Sequence, residues 1–343
     1  MNSFGRIFRV HIFGESHGES VGIVLDGCPA GMPLTIDDFL PDLERRKGGT
    51  QKGTTPRKED DLPIFKSGIF NDKTTGAPIS ILFENKNIRS SDYEKQRDVP
   101  RPGHADFVAH KKFSGFEDYR GSGHFSGRLT VALVAAGVIA KKILSFSLGT
   151  ESGEKLPPIT ITSSILEIGG EKDLEKGLQK AIDEKDSIGG IIECRANGIP
   201  IGLGEPFFDS AESLLSHIVF AIPAVRGIEF GTGFPAAKMF GSQHNDAIEN
   251  MSGKTRTNHA GGIVGGLTNG NELVFRIAIK PTSSTPKEQN TLNWETGKIE
   301  NASVKGRHDL CIALRVPVIL EAVTAVVLVD LMMLEQKIKR VVS

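Results

Sequence analysis

Residues 129–144 read LTVALVAAGVIAKKIL, and this stretch decides the architecture. Apolar side chains occupy nearly every position, so no polar stripe is left to face water. A helix that is apolar almost all round suits burial on several sides. Lys141 and Lys142 fall where a helix C-terminus favours cations. Residues 316–334 are more apolar still, but they contain Pro317, Glu321 and Asp330. At the centre of a bilayer each such acid costs about 2.5–3.5 kcal/mol on insertion scales, so the segment reads as a buried core helix rather than a membrane span.

Outward from these two segments, β-rich runs bounded by Gly or Pro cover 6–13, 21–26, 78–84, 159–168, 190–196 and 272–279. Helical patterns cover 129–144, 174–184, 211–220 and 319–337, with Asp173 and Asp209 as expected N-caps. Strands and helices are mixed without the regular spacing of a parallel doubly wound sheet. The expectation is an α+β fold, a layered β-α sandwich in one large domain spanning 1–343.

The chain has 343 residues, enough for a sizeable core without a disulfide or metal staple. Its 41 basic and 42 acidic residues leave a net charge of -1, which argues against a general nucleic-acid binder. Cys28, Cys194 and Cys311 are scattered and odd in number, with no CxxC pair. They point to a reducing compartment, the cytoplasm, and away from a structural zinc site. Charges interrupt every short apolar run at the N-terminus, so no signal peptide and no membrane association are expected.

The one compositional break is 45–58, RRKGGTQKGTTPRK, with six basic residues and no acidic or hydrophobic one. It is expected to be a surface loop, either solvated or ordered by an anion. Gly14-Glu15-Ser16-His17-Gly18 places an open histidine after a strand, suited to proton transfer near neutrality, although an ordinary turn histidine fits too. Arg101-Pro102-Gly103-His104-Ala105-Asp106 places a second one beside an arginine, as a proton donor near an anion. The spacing of His104, Asp106 and His110 is not that of a metal site.

Residues 118–130, DYRGSGHFSGRLT, form a glycine-rich turn leading into the first apolar helix. Neither GxGxxG nor GxxxxGK[ST] is satisfied, yet backbone N–H groups at a helix start bind phosphate without a named motif. Arg120 and Arg128 flank this turn, Ser126 lies in it, and Phe125 is either a stacking or a core residue. Lys280-Pro281-Thr282-Ser283-Ser284-Thr285 gathers one ammonium and four hydroxyls at a strand end, either a phosphate cluster or a capped polar turn. Together these segments describe a site that handles a multiply anionic ligand by charge and proton chemistry.

Thirteen blocks, taken in order, make the chain resemble the chorismate synthases. They are FGESHG, VGIVLDGCPAGMPL, DLERRKGG, TTPRKEDD, RPGHAD, DYRGSG, SIGGIIE, GLGEPFFD, IPAVRGIEFGTGF, GSQHND, TNHAGGIVGGLTNG, KPTSST and GRHDLC. The resemblance implies a lyase acting on a phosphate ester, the last enzyme of the shikimate pathway leading to aromatic amino acids. It would convert 5-enolpyruvylshikimate 3-phosphate to chorismate by trans-1,4-elimination of phosphate, with reduced FMN and no net redox change. NADPH-dependent reduction of the flavin would come from an external reductant, and the family implies a homotetramer.

By position, His17 resembles the histidine that assists the departing phosphate, His104 the one that protonates reduced flavin, and Asp309 the acid linked to hydrogen removal. Arg46 and Lys52 resemble residues that bind the substrate phosphate, and Ser16 and Arg128 join them as substrate residues. His124, Phe125, Ser126, Ala224, Gly265, Lys280, Pro281, Thr282, Ser283, Ser284 and Arg307 align with the flavin contacts. His124-Phe125-Ser126 replaces the commoner Arg-Ser-Ser, and Leu310 stands where the family usually has proline. An idle flavin- or nucleotide-binding relative and a phosphatase or phosphotransferase are the competing classes. The first is disfavoured by the retained His17, His104 and Asp309, the second by the lack of a metal set or activated nucleophile.

Overall fold

The computed structural model describes residues 1–49, 52–57, 59–88, 97–146, 158–304, 308–338 and 341. Two apolar helices, α3 (Thr130–Phe146) and α7 (Val316–Leu334), lie against each other at the centre of the molecule. Each is also covered on its far side by an antiparallel sheet, which is why neither shows a polar stripe. The sheet on α3 has the order β1 (Ser3–Phe4), β2 (Arg9–Gly14), β3 (Ser20–Asp26), β7 (Ile79–Glu84), β4 (Ile64–Ser67). The sheet on α7 has the order β10 (Val225–Phe230), β13 (Leu273–Ile279), β9 (Gly190–Asn197), β8 (Thr160–Ile168). The architecture is an α+β sandwich, with sheet, helix, helix and sheet in succession.

Sequence periodicity explains the outer layers. In β7 the side chains of Ile79, Ile81 and Phe83 alternate inward at a period of two. At the helix pair, a Cβ on Gly137 would stand 2.2 Å from the Cβ of Ala322, so only glycine allows this approach of α3 to α7. Around the core lie α1 (Leu40–Arg46), α4 (Leu174–Glu184) against β8, and α5 (Ala211–Val219) against α7. The helix α2 (Asp106–Phe113), the short α6 (Gly241–His244), three two-stranded ladders and several short 3-10 helices complete the described elements. The ladders are β5 (Ile69–Phe70) with β6 (Lys73–Thr74), β11 (Ile263–Val264) with β12 (Leu267–Thr268), and β14 (Gln289–Leu292) with β15 (Ile299–Ala302).

The acids inside α7 are both satisfied. Glu321 accepts two 2.7 Å hydrogen bonds from the Arg45 guanidinium, one from Lys141 Nζ and one from the Ser163 backbone. Asp330 accepts the backbone N–H groups of Arg6, Ile7 and Phe8. A buried carboxylate is tolerated when its lone pairs are met in this way.

Several sequence expectations need correction. The run expected to begin a strand at residue 6 starts only at Arg9, because Arg6 to Phe8 wrap around Asp330 instead. The N-cap of α5 is Ser210, whose Oγ accepts the Ser213 N–H, while Asp209 pairs with Arg6. Asp173 caps α4 as expected, through the Lys176 N–H. Lys141 and Lys142 sit a turn before the end of α3 and pair with carboxylates, Asp42 and Glu321 for the first and Asp38 for the second. The basic run 45–58 is not wholly a surface loop. Its first two residues end α1, and Arg46 is buried. The strand β10 escapes sequence reading because Arg226 and Gly227 interrupt its apolar pattern, and its pairing slips there.

Candidate active site

The loops that connect the layers meet around a cavity of about 380 Å³. The segments leading into both central helices line it, through Gly127 and Arg128 before α3 and Ile312 and Arg315 before α7. Helix starts carry partial positive charge and free N–H groups, which favours an anion. Seven cationic side chains line the cavity against three carboxylates, together with His17, His104 and His308.

The cations are organised in pairs. Arg46 and Arg128 both bind Asp61, and all three are almost fully buried. Arg46 further donates Nε to Thr130 Oγ1 at 2.9 Å and its remaining nitrogen to the carbonyls of Gly127 and Arg128. Burial pulls the Arg46 guanidinium below its usual range, opposed by Asp61 and reinforced by Arg315 and Arg128. Burial alone would raise Asp61, but the two arginines outweigh it and hold the carboxyl below the ordinary range. Arg57 pairs with Glu59, and Arg315 NH1 donates to Asp309 Oδ2 at 3.0 Å. Lys280 differs. Among the described residues it meets no carboxylate, and its Nζ donates to Ser283 Oγ at 2.8 Å. Burial and the nearby Arg226 lower its affinity for a proton.

The three expected proton-transfer residues are brought together. His17 is buried, and Gly121 covers it so closely that a Cβ there would stand 2.1 Å from the ring. With φ at +55°, Gly121 is also in the left-handed region that glycine adopts without strain. His104 Nδ1 lies 2.6 Å from Asp106 Oδ1. Asp309 Oδ1 accepts the Thr55 N–H at 2.8 Å, and Oδ2 accepts from Arg315. The partner expected in sequence for Asp309, Arg307, lies outside the described residues. Ser16 Oγ is buried without a hydrogen-bond partner among the described residues, an acceptor and donor that a ligand would satisfy. Three non-glycine residues of the lining, Asp61, Ser122 and Ala224, hold positive φ, the kind of local strain that collects at functional sites.

Of the other expected residues, Phe125, Ser126, Thr282, Ser283 and Ser284 line the cavity along with Ala224 and Lys280. His124, Lys52, Gly265 and Pro281 do not. Both ring nitrogens of His124 are engaged away from it, Nδ1 with the Gly14 carbonyl and Nε2 with Asn2. Lys52 is exposed and donates to Gln179 Oε1. Gly265 sits in the β11–β12 turn, and Pro281 is exposed with its ring against Gly189. Leu310 donates its backbone N–H to the Gly53 carbonyl at 2.9 Å, a bond that proline cannot make, and so ties the basic loop to the Asp309 turn. Sequence reading missed Arg57, Glu59, Asp61 and Arg315. The first three lie in the TTPRKEDD block, whereas Arg315 carries no local signal.

Fold and cavity together define an α+β protein with a cation-rich cavity that brings histidines and carboxylates together from separate loops. The sequence model of the family described as chorismate synthase matches residues 8–333. A chorismate synthase from Chitinophaga pinensis is 68% identical over 341 residues, covering 99% of both chains. One from Dehalococcoides mccartyi is 44% identical over 362 residues, covering 100% of this chain and 99% of the other. A solved chorismate synthase crystal structure superposes with a TM-score of 0.71 at 26% identity, covering 96% of this chain and 93% of the other. The chain belongs to the chorismate synthase family. It is a lyase of the shikimate pathway, and its activity is the formation of chorismate.

Proposed function

We propose that this cavity converts 5-enolpyruvylshikimate 3-phosphate to chorismate and phosphate with reduced FMN bound beside the substrate. One observation carries the reading: His17, His104 and Asp309, from loops far apart in the chain, line the same cation-rich cavity. The residues present fit a flavin phosphate. Lys280 is the cation without a carboxylate partner among the described residues, and Ser283 and Thr282 add hydroxyls beside it. We therefore assign Lys280, Thr282, Ser283, Ser284, Ala224, Phe125 and Ser126 to the flavin. When bound, the reduced flavin supplies electron density to the allylic system of the substrate and recovers it, so the reaction has no net redox change.

The chain's own residues perform the rest. Arg46 and Arg128 share a single carboxylate, so the pair keeps a net positive charge beside the cavity that draws in the substrate phosphate. Ser16 Oγ offers a hydrogen bond to the same anion. His17 holds a proton for the leaving phosphate, and dianionic ligands nearby favour its charged form. Asp309 accepts a proton, with its carboxylate oriented by the Arg315 guanidinium on Oδ2 and the Thr55 N–H on Oδ1. His104 holds a proton at Nε2, the nitrogen not turned to Asp106.

General acid–base groups contribute about 10²–10⁴-fold each. His17→Ala, His104→Ala and Asp309→Asn should each lower single-turnover chorismate formation by at least about 10²-fold. Equilibrium titration should show both ligands still binding. Near-normal rates in all three, or failure only because FMN no longer binds, would sink these assignments.

We further propose that the protein relies on an external reductant for its flavin and works in the cytoplasm. Three free, buried thiols support a reducing compartment. Turnover of the purified protein with NADPH and oxidised FMN alone would contradict the first point. We take 1–343 as one domain and expect a homotetramer. Exposed Phe207 and Phe208 support an apolar subunit contact.

A further inference from the structure

Asp106 does not line the main cavity. It lines a smaller one of about 160 Å³ behind His104, which borders both. Its carboxylate is fully engaged by Arg101. Oδ2 accepts the Arg101 backbone N–H at 3.0 Å and Nε at 2.7 Å, and Oδ1 accepts from the same guanidinium at 2.7 Å. Arg101 is itself fixed, because it also donates to Ser284 Oγ and Ser122 Oγ, on the two loops that face it. Burial would raise the Asp106 carboxyl, but the hydrogen bonds from Arg101 and His104 outweigh burial and hold it far below the ordinary range.

We propose that Asp106 is a positioning residue that, locked by Arg101, fixes the proton of the neutral His104 ring on Nδ1 and so leaves Nε2 as the nitrogen that exchanges a proton in the cavity. A carboxylate accepts only, so the 2.6 Å contact requires a hydrogen on Nδ1. Arg101 lies 3.1 Å from the same nitrogen and can only donate, so it would favour a bare Nδ1. The shorter contact to the ionised Asp106 outweighs it, because a carboxylate facing a bare nitrogen would set lone pair against lone pair. The charged ring then carries N–H on both nitrogens, with Asp106 stabilising the Nδ1 side throughout. The catalytic consequence rests on the proposed role of His104 as a proton donor.

Asn is nearly isosteric and breaks this logic. Arg101 sends two donors to the Oδ2 position and one to the Oδ1 position, so the amide oxygen is favoured at Oδ2. The amide NH₂ then takes the Oδ1 position and donates to Nδ1. The neutral ring is forced to carry its proton on Nε2, and the doubly protonated ring would set N–H against N–H.

The test uses the full-length protein with ¹⁵N-labelled histidine, and His104→Gln to assign the signals. Two-bond ¹H–¹⁵N spectra, followed upward in pH until the ring is neutral, identify the protonated nitrogen. The wild type should carry it on Nδ1 and Asp106→Asn on Nε2. Single-turnover chorismate formation in Asp106→Asn should fall by at least about 10²-fold, with FMN binding retained. On a His104→Gln background the same change should cost nothing more, because a residue acting through another is non-additive with it.

Protonation on Nε2 in the wild type would overturn the proposal, and that spectrum needs no variant to fold. So would a full additional loss on the His104→Gln background, which marks a merely structural role. A flipped tautomer with an unchanged rate would uphold the positioning and overturn instead the reading of His104 as the acid.

Discussion

Lys280 stands apart from the other cations of the cavity, each of which pairs with a carboxylate among the described residues. Arg46, Arg57, Arg101, Arg128 and Arg315 hold carboxylates, and Lys47 pairs with Glu44. Among the described residues Lys280 has only Ser283 Oγ and the Pro281 carbonyl, and burial weakens its hold on a proton. An anion there gains a charge-assisted bond without displacing an internal partner, a bond worth about 1.5–3 kcal/mol. Lys280→Ala should therefore raise the Kd for FMN by about ten- to a hundredfold, since 1.4 kcal/mol is tenfold, with little change in thermal stability. Fluorescence titration of the flavin measures the first and a thermal melt the second. Unaltered affinity would place the flavin phosphate elsewhere. Arg46 has the opposite character: with every guanidinium nitrogen engaged internally, it acts on the substrate phosphate through the net charge it keeps with Arg128, not through a free N–H, while also holding Asp61 and the turn before α3.

At the scale of elements, α3 and α7 meet where glycine stands in the middle of a helix, a position that otherwise disfavours helix by about 1 kcal/mol relative to alanine. The propensity loss is outweighed by packing. Gly137→Ala would set a methyl 2.2 Å from the Ala322 Cβ and 2.4 Å from its Cα, so the helices must separate. Overpacking of this kind costs about 1–3 kcal/mol despite the better propensity of alanine. The melting temperature of Gly137→Ala should fall, and adding Ala322→Gly should recover part of the loss. A variant as stable as the parent would show that the helix pair is looser than described. The same pair sets the cavity, because the turns before α3 and α7 present Arg128 and Arg315 to it. A shift of either helix should therefore reduce activity as well as stability.

For the whole molecule, one apolar cluster runs through both sheets and both central helices. The sheets do not own separate cores, so we expect far-UV circular dichroism and Trp294 fluorescence to melt together, as one unit; well-separated transitions would contradict this. The loops that join the layers carry buried acids, and these set the response to acid. Asp61 and Asp106 are held below their unfolded values by arginines. A depressed folded pKa stabilises in full above the unfolded value, about 3.9 for Asp, and that contribution drains away as pH falls through the folded value. Wild-type stability should thus drop steeply below about pH 4. Asp61→Asn should be less stable at neutral pH yet lose less on acidification. Denaturant titrations of both proteins at neutral pH and near pH 3 test the sign.

What the sequence determined by itself was local in origin or recorded in its motifs. The apolar runs of α3 and α7 had no polar face, so burial on all sides followed from composition alone. Period-two strands such as β7 and the Asp173 cap were legible for the same reason, whereas His17, expected to be open, is buried under Gly121. The thirteen motif blocks carried the family. Tertiary structure decided which groups meet. Nothing near Asp309 marks Arg315 as its partner, nothing in Arg6 to Phe8 marks Asp330 as the acid they wrap, and nothing in a basic run marks Arg46 as buried. Those pairings join residues that local propensity treats as independent. Only the packed layers bring them within a hydrogen bond of one another, where burial makes each charge depend on the partner it finds.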